Sequence, residues 1–479
     1  MLFAPSWLSS CSLSPVRMTA ETHVVVLAAG QGTRMRSALP KVLHRLSGRR
    51  LIDYALRTAQ SLSPATVTVV VGHQAERIRE HLTVEPGLQV VVQDPQLGTA
   101  HALQQAEPVL RGRSGTLVLL SGDVPLLRPE TLVSLMETHC RANAAATVVT
   151  ATVDRPYGYG RIVRTGGRIV RIVEERDASP AERQIREINS GIYAFDLDPL
   201  FDALRGIASQ NAQGEYYLTD LVAIYRRRKK PVETLMVANP DEIRGINSRS
   251  ELAEVSRIVR QNKNEELMAA GVTLVDPATT YIDPDVEVGA DTVIHPGVSL
   301  EGHTRIGNAC EIQAHVRIVD STIGAHVAVN SFSLIAGARV ADGATIGPFA
   351  HLRAESVVRE KAKVGNFVEL KNTTLGPGSK ANHHAYLGDA AIGANVNIGA
   401  GTIICNYDGT TKHQTSIEDD AFIGSDTQLI APVTVGRGAY VGTGTTVREN
   451  VPPGALAVSA GKQRNIEGWV ARKRATDKT

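Results

Sequence analysis

Apolar residues run in short unbroken blocks through the first half of the chain. HVVVLAAG (23–30), TVTVVVGH (66–73), LQVVVQD (88–94), GTLVLLSGD (115–123) and AAATVVTATV (144–153) are each bounded by polar, Gly or Pro-containing segments. Continuous rather than alternating apolarity marks strands buried on both faces, so these blocks predict a doubly wound parallel sheet. KVLHRLSGRRLIDYALRTAQ (41–60) reads as one of the helices between them. NSRSELAEVSRIVRQNKNEELMAAG (247–271) predicts a connecting helix: Ser248 and Glu251 fit a capping box, Leu252, Val255, Ile258 and Val259 form an apolar stripe, and Gly271 closes it.

From about Thr273 the period changes. An aliphatic residue recurs every six positions at Val288, Ile294, Leu300, Ile306, Ile312 and Ile318, and after single-residue slips again from Ile323 and from Val340. Glycine commonly follows it. Six-residue repeats of this kind build a parallel β-helix, each hexad supplying one short flat face with its aliphatic side chain turned inward. The frame runs on to Val447 and breaks once, at CNYDGTTKHQTS (405–416), which is too long for a corner. An insertion in a solenoid maps to a loop on one face, often a binding face.

Composition narrows the class of protein. With 479 residues, 43% hydrophobic and 21% charged, the chain suits two or three globular domains. A net charge of +2 provides no electrostatic footprint for nucleic acid, and the run RRRKK (226–230) reads as a solvated helix end. No apolar run approaches the roughly 18 residues of a membrane span. Cys11, Cys140, Cys310 and Cys405 lie far apart without CxxC spacing, as expected for reduced thiols in a cytoplasmic protein. Residues 1–22 lack the basic start and continuous apolar core of a secretory signal and are expected to be a disordered extension, or an over-extended start ahead of Met18. The final ARKRATDKT is expected to be disordered as well.

Candidate chemistry clusters at strand ends, where ligands of such sheets collect. LAAGQGTRMRSALPK (27–41) lacks the GK[ST] of a Walker A loop, yet Gly30 and Gly32 let backbone N–H groups approach phosphate, and Arg34 and Lys41 add positive charge. Asp123, just past a buried strand in SGDVPL, is placed to hold a divalent cation against phosphate, or else to cap the helix after Pro125.

These motifs do not stand alone. LAAGxGTRMxSxxPKVLH, QLGTAHA, GDVPL, GYGRI, IVEERDA, EINSGIY, NAQGEYYLTD and GINSR follow one another in order, and VGNFVELKN, HHAYLGDAAIGANVNIGAGTIICNYDG and IGSDTQLIAPV lie in the hexad region. Together they resemble the bacterial bifunctional N-acetylglucosamine-1-phosphate uridyltransferase/glucosamine-1-phosphate N-acetyltransferases, over nearly the whole chain after residue 22. The resemblance implies a Rossmann-like nucleotidyltransferase domain (23–247), a linker helix (248–271), a left-handed β-helix acetyltransferase domain (272–458) and a C-terminal tail (459–479).

It also implies roles. Leu27, Ala28, Ala29, Gly30, Gln93, Gly98, Thr99, Ser121 and Gly122 would bind the nucleotide, with Arg34 and Lys41 on its phosphates. Asp123 and Asn247 would hold Mg²⁺, and Gly160, Glu174 and Asn189 the sugar. The sugar phosphate attacks the α-phosphorus of UTP, so catalysis is positioning plus charge neutralisation without a protein nucleophile. At the second site a base must free the amine of glucosamine 1-phosphate to attack acetyl-CoA. The resemblance assigns this to His383 rather than His384, and since neighbours on a strand face opposite ways only one of the two is expected to face the site. Arg353, Lys371, Tyr386 and Asn397 would bind the sugar phosphate, and Ala400, Asn406, Tyr407, Ser425 and Thr443 acetyl-CoA. Ala460 departs from the family, many members carrying a cofactor-binding arginine there, with Lys462 or Arg464 as substitutes.

The implied product is UDP-N-acetylglucosamine for peptidoglycan and other cell-envelope precursors, made by a cytoplasmic homotrimer without nucleic-acid or membrane partners. Two rival readings are a single-activity sugar nucleotidyltransferase with a structural or regulatory β-helix, and a non-enzymatic binding protein of similar two-part build. NHHAYLGD and CNYDG disfavour the first, and Lys41, Asp123, Asn247 and His383 together disfavour the second.

Overall fold

A computed structural model of the chain describes residues 21–82, 87–459, 461, 463 and 465–476. The chain divides between Ser256 and Arg257 into two units. The first is built on β1 (Thr22–Ala28), β2 (Thr66–Val71), β3 (Leu88–Val92), β4 (Thr116–Ser121), β5 (Ala146–Thr152), the hairpin β6 (Arg161–Thr165) and β7 (Arg168–Val173), β8 (Glu187–Asp196) and β9 (Val232–Met236). The strand order is β9-β5-β8-β4-β1-β2-β3. Alternate residues feed apolar cores on opposite faces: Val24, Val26, Val69 and Val118 on one, Val25, Val70, Leu117 and Leu119 on the other.

Two sequence expectations need correction. The sheet is mixed, because β8 runs antiparallel to both β4 and β5; its apolar run looks the same in either direction. Residues 41–60 are not one helix. Lys41–Leu43 is a 3₁₀ turn, Arg45–Leu46 pairs with Arg49–Arg50 across a Ser47–Gly48 turn with positive φ at both residues, and only Leu51–Gln60 is α-helical. The Ser-Gly step decides this, since two left-handed residues reverse the chain more readily than they continue a helix.

The helix Arg249–Ala269 begins with the expected capping box: Glu251 accepts from the Ser248 N–H at 2.9 Å and Ser248 Oγ accepts from the Glu251 N–H at 3.2 Å. Gly271 follows with φ +92°. The second unit is the predicted left-handed parallel β-helix. A full coil is a set of three hexads, which stacks Val293 on Glu311, and the coil is shorter by a single position where the hexad frame slips, as from Glu311 to Ala328. The aliphatic residues of the frame from Ile294 to Val447 are buried in one continuous core.

Coil corners hold residues in the left-handed region, including His315, Phe332, Phe349 and Phe367. These four rings stack at 5.1–5.2 Å, close to the spacing of adjacent strands. Most faces carry strands of two or three residues, but Lys363–Lys371 and Lys380–Gly388 are continuous and pair along their length.

At the insertion the coil lengthens. Thr374 pairs with Ala391 one ordinary coil later, whereas Ala390 must run through the whole of the added loop to reach its partner Thr415. The extra chain closes on itself. Asp408 accepts from the N–H groups of Thr410 and Thr411 and from His413, and Tyr407 bridges Lys412.

The extension predicted for residues 1–22 lies outside the described residues as far as residue 20, and Thr22 already belongs to β1. The tail departs from expectation: Trp469–Thr476 is helical, in keeping with the helix propensity of its Ala, Arg and Lys.

Candidate active sites

The register of β1 with β4 sets Leu27 beside Ser121, so the glycine loop and Asp123 leave neighbouring strands at the same end. Gly32 has φ +62°, and a Cβ there would lie 2.8 Å from the Lys41 Cβ. Only glycine both adopts that turn and lets the Lys41 stem pass. Lys41 Nζ donates to Asp123 Oδ2 at 2.5 Å and to Asn247 Oδ1 at 3.1 Å. Asn247 is fixed in turn by its N–H, which donates to Glu251 of the following capping box at 2.6 Å.

These residues open onto a cleft of about 500 Å³ also lined by Leu27, Ala29, Gly30, Arg34, Gln93, Gly98, Thr99 and Ser121. Gln93 is buried and donates to the Gly98 carbonyl at 2.9 Å, and Thr99 accepts from the Leu218 N–H at 3.1 Å. Ala28 instead packs in the core and Gly122 lies against the Leu27 carbonyl, so neither lines the cleft. Gly160, Glu174 and Asn189 group together outside that lining: a Cβ on Gly160 would lie 3.5 Å from Asn189 Cβ and 3.6 Å from Glu174 Oε2. Burial raises the Glu174 carboxyl above its ordinary range, opposed by the bond from the Thr219 hydroxyl. Gln31, Gln96 and Glu215 also line the cleft and were missed. Glu215 stands in the quoted NAQGEYYLTD, but no periodicity signals that this segment folds back over the cleft.

Asp123 and Asn247 present one carboxylate and one amide oxygen to a single ammonium group. Lys41 thus stands where a cation would, and the donor set suits Mg²⁺, which takes few protein oxygens and completes its shell with phosphate and water. Among the described residues no group of three or more His, Cys, Asp or Glu is placed to hold a metal.

On the β-helix the second set converges by register. Leu352 pairs with Leu370, which sets Arg353 beside Lys371, and Glu369 pairs with Tyr386. Arg353 and Glu369 form an ion pair at 2.9 Å. A Cβ on Gly388 would fall 2.5 Å from the Tyr386 hydroxyl and 2.9 Å from Asn406 Nδ2, so the bare glycine leaves room for both groups. Asn406 donates to Asp389 at 2.5 Å, and Asp389 also accepts from Asn372 at 2.7 Å.

A second row crosses the coils one residue at a time. Asn366 pairs with His383, Ala381 with Ile398, and Ile398 with Ile423, itself paired with Val441. Two residues beyond these last pairs, Ala400, Ser425 and Thr443 continue the row from His383. Asn397 lies beside it, paired with Lys380 and Phe422. Tyr407 is exposed on the insertion. Asn366, Glu369 and Asp389 were missed; they become neighbours of the named residues only when successive coils stack. Ala460, Lys462 and Arg464 lie outside the described residues.

The alternation argument for the two histidines does not hold. His383 and His384 are both exposed, because His384 sits at the corner with φ +41° and the strand turns there instead of alternating.

A nucleotidyltransferase sheet followed by a hexapeptide β-helix, each with its own cluster of charged and polar groups, defines a two-site transferase. Residues 24–195 match the MobA-like NTP transferase domain, 277–364 the GMPPB C-terminal domain, and 414–449 the bacterial transferase hexapeptide repeats. The bifunctional protein GlmU of Trichlorobacter lovleyi is 49% identical over 95% of this chain and 99% of its own length. The proteins of that name from Pelobacter propionicus and Mycobacterium sp. (strain KMS) are each 48% identical, over 94% and 96% of this chain and 98% and 94% of their own. The chain belongs to the GlmU family and is a bifunctional uridyltransferase and acetyltransferase.

Proposed function

We propose that the β-helix acetylates glucosamine 1-phosphate with acetyl-CoA and that the N-terminal domain joins the product to UMP from UTP, giving UDP-N-acetylglucosamine and pyrophosphate for cell-envelope precursors. The observation that carries the first half of this reading is the meeting of Lys41, Asp123 and Asn247, 82 and 206 residues apart in sequence, in a cleft floored by the glycine loop. Asp123 and Asn247 hold Mg²⁺, which supplies neutralisation of triphosphate charge. Lys41 and Arg34 carry the phosphates, and the backbone at Gly30 and Gly32 admits them closely. Gln93, Gly98 and Thr99 bind the base, and Gly160, Glu174 and Asn189 the sugar and its acetamide.

At the β-helix His383 removes a proton from the substrate ammonium. The freed amine attacks the thioester carbonyl and the C–S bond breaks. The departing coenzyme A thiolate takes a proton back from the His383 imidazolium, the amide nitrogen losing its extra proton to water. Arg353 and Lys371 neutralise the sugar phosphate, with Tyr386 and Asn397 completing its site. Ala400, Ser425 and Thr443, in the row from His383, hold acetyl-CoA together with Asn406 and Tyr407. The protein acts in the cytoplasm as a homotrimer in which the insertion contributes to a neighbouring subunit's acetyl-transfer site. No helix among the described residues is long and apolar enough to cross a membrane.

Assays of pyrophosphate release from UTP with N-acetylglucosamine 1-phosphate, and of coenzyme A release with glucosamine 1-phosphate, test the two halves separately. Both are expected from one purified chain. Absence of coenzyme A release would reduce the protein to a nucleotidyltransferase.

A further inference from the structure

The imidazole of His383 has a hydrogen-bond partner on the facing coil. Its Nδ1 lies 2.8 Å from Oδ1 of Asn366, and the two residues are a register pair between Lys363–Lys371 and Lys380–Gly388. We infer that Asn366 is the positioning residue of acetyl transfer: it fixes His383 as the tautomer whose Nε2 is free to take the proton. The inference rests on the reading of His383 as the base.

A neutral imidazole carries one N–H and one lone pair, and which nitrogen holds the proton is set by the partner of the other. An amide oxygen only accepts, so its contact requires Nδ1 to donate and leaves the Nε2 lone pair for the substrate ammonium. When Nε2 takes that proton the Nδ1–H···O bond persists, and the amide dipole faces the new cation without any group having to move. The logic is that of the carboxylate in a catalytic triad, which orients its imidazole and does not itself take the proton.

The backbone holds the pair together. A Cβ on Gly365 would fall 1.9 Å from the Asn382 carbonyl oxygen, so the coils approach at that point as only a glycine permits. Phe367 and His384 then turn the corner at φ +56° and +41°. Asn366 and His383 therefore sit on the last residues before the bend, on the longest uninterrupted ladder of the β-helix. A site on paired strands holds its geometry better than one on a loop.

The full chain would be examined as wild type, Asn366→Ala, Asn366→Asp and His383→Ala. Asn366→Ala should lower kcat of acetyl transfer by about 10–100-fold, the cost found when the partner that orients a metal-bound histidine is removed. KM for glucosamine 1-phosphate and acetyl-CoA should change by less than about twofold, since no substrate contact is lost, and uridylyl transfer should be untouched. Solid-state ¹⁵N spectra of histidine-labelled protein, with the His383 signals identified by their loss in His383→Ala, should show protonated Nδ1 in the wild type and protonated Nε2 in Asn366→Ala. Asn366→Asp, which still accepts from Nδ1, should keep the wild-type tautomer and recover most of kcat.

Unchanged kcat in Asn366→Ala, or a wild-type Nδ1 without its proton, would overturn the inference. Full acetyl transfer by His383→Ala would instead remove the reading on which it rests.

Discussion

Lys41 Nζ lies 2.5 Å from Asp123 Oδ2, an ion pair across 82 residues of sequence that joins the glycine loop to the end of the neighbouring strand. Because Asp123 anchors both Lys41 and the proposed metal, Asp123→Ala should lower uridylyl transfer by at least about 10²–10³-fold. Coenzyme A release should stay within about twofold of wild type, as no acetyl-transfer residue is altered. Loss of both activities in a variant with an unchanged circular dichroism spectrum would sink the assignment of separate sites.

Gly32→Ala tests the loop by itself. The new methyl group meets the Lys41 stem at 2.8 Å, in a turn that costs an L-residue roughly 1–2 kcal/mol. Displacing Lys41 by a fraction of an ångström should reduce kcat/KM for UTP by about 10–100-fold. Steady-state pyrophosphate release measures it, and wild-type kinetics in the variant would show that Lys41 need not stand where it does.

His383→Ala should reduce acetyl transfer by about 10²–10⁴-fold, the usual worth of a positioned general base. His384→Ala should cost little, since His384 occupies the corner, where its carbonyl accepts from the Gly401 N–H whatever the side chain. The reverse order in a coenzyme A release assay would reassign the base.

His139 makes the stability of the first unit depend on pH. Burial lowers its pKa from 6.5 to about 4, against a weaker opposite pull from Asp196, and its Nδ1 lies 3.0 Å from the Thr147 hydroxyl. The unfolded chain therefore binds a proton between those values that the folded chain does not. The stabilisation is complete above pH 6.5 and disappears as pH falls towards 4, on the order of 3 kcal/mol in all. Urea unfolding of the first unit between pH 7.5 and 4 should show His139→Gln losing less stability over this range than wild type. Parallel pH profiles would contradict it.

Much of this was legible in the chain. The hexad frame from Ile294 to Val447 fixed the β-helix because each inward residue is aliphatic and the six-residue period resumes after every slip, and the Ser248–Glu251 box marked the helix start within a residue. What stayed hidden depends on distant partners. The antiparallel course of β8 leaves no trace in an apolar run. The pairing of Asn366 with His383, or of Asn406 with Asp389, appears only when one coil is laid on the next. The corner at His384 was misread for a related reason: strand alternation holds only while the strand is straight, and nothing in NHHAYLGD shows the bend. At the cleft the motifs named Lys41, Asp123 and Asn247, whereas Glu215 reaches it through a loop with no periodic signature.

The central claim is that one chain carries two independent sites acting in series. Its most direct test is to supply glucosamine 1-phosphate, acetyl-CoA, UTP and Mg²⁺ to Asp123→Ala, to His383→Ala, and to an equal mixture of the two, and to measure UDP-N-acetylglucosamine. Each variant alone should form almost none, Asp123→Ala accumulating N-acetylglucosamine 1-phosphate, and the mixture should form it readily as that intermediate passes between proteins. A mixture as inactive as its folded components would contradict the account.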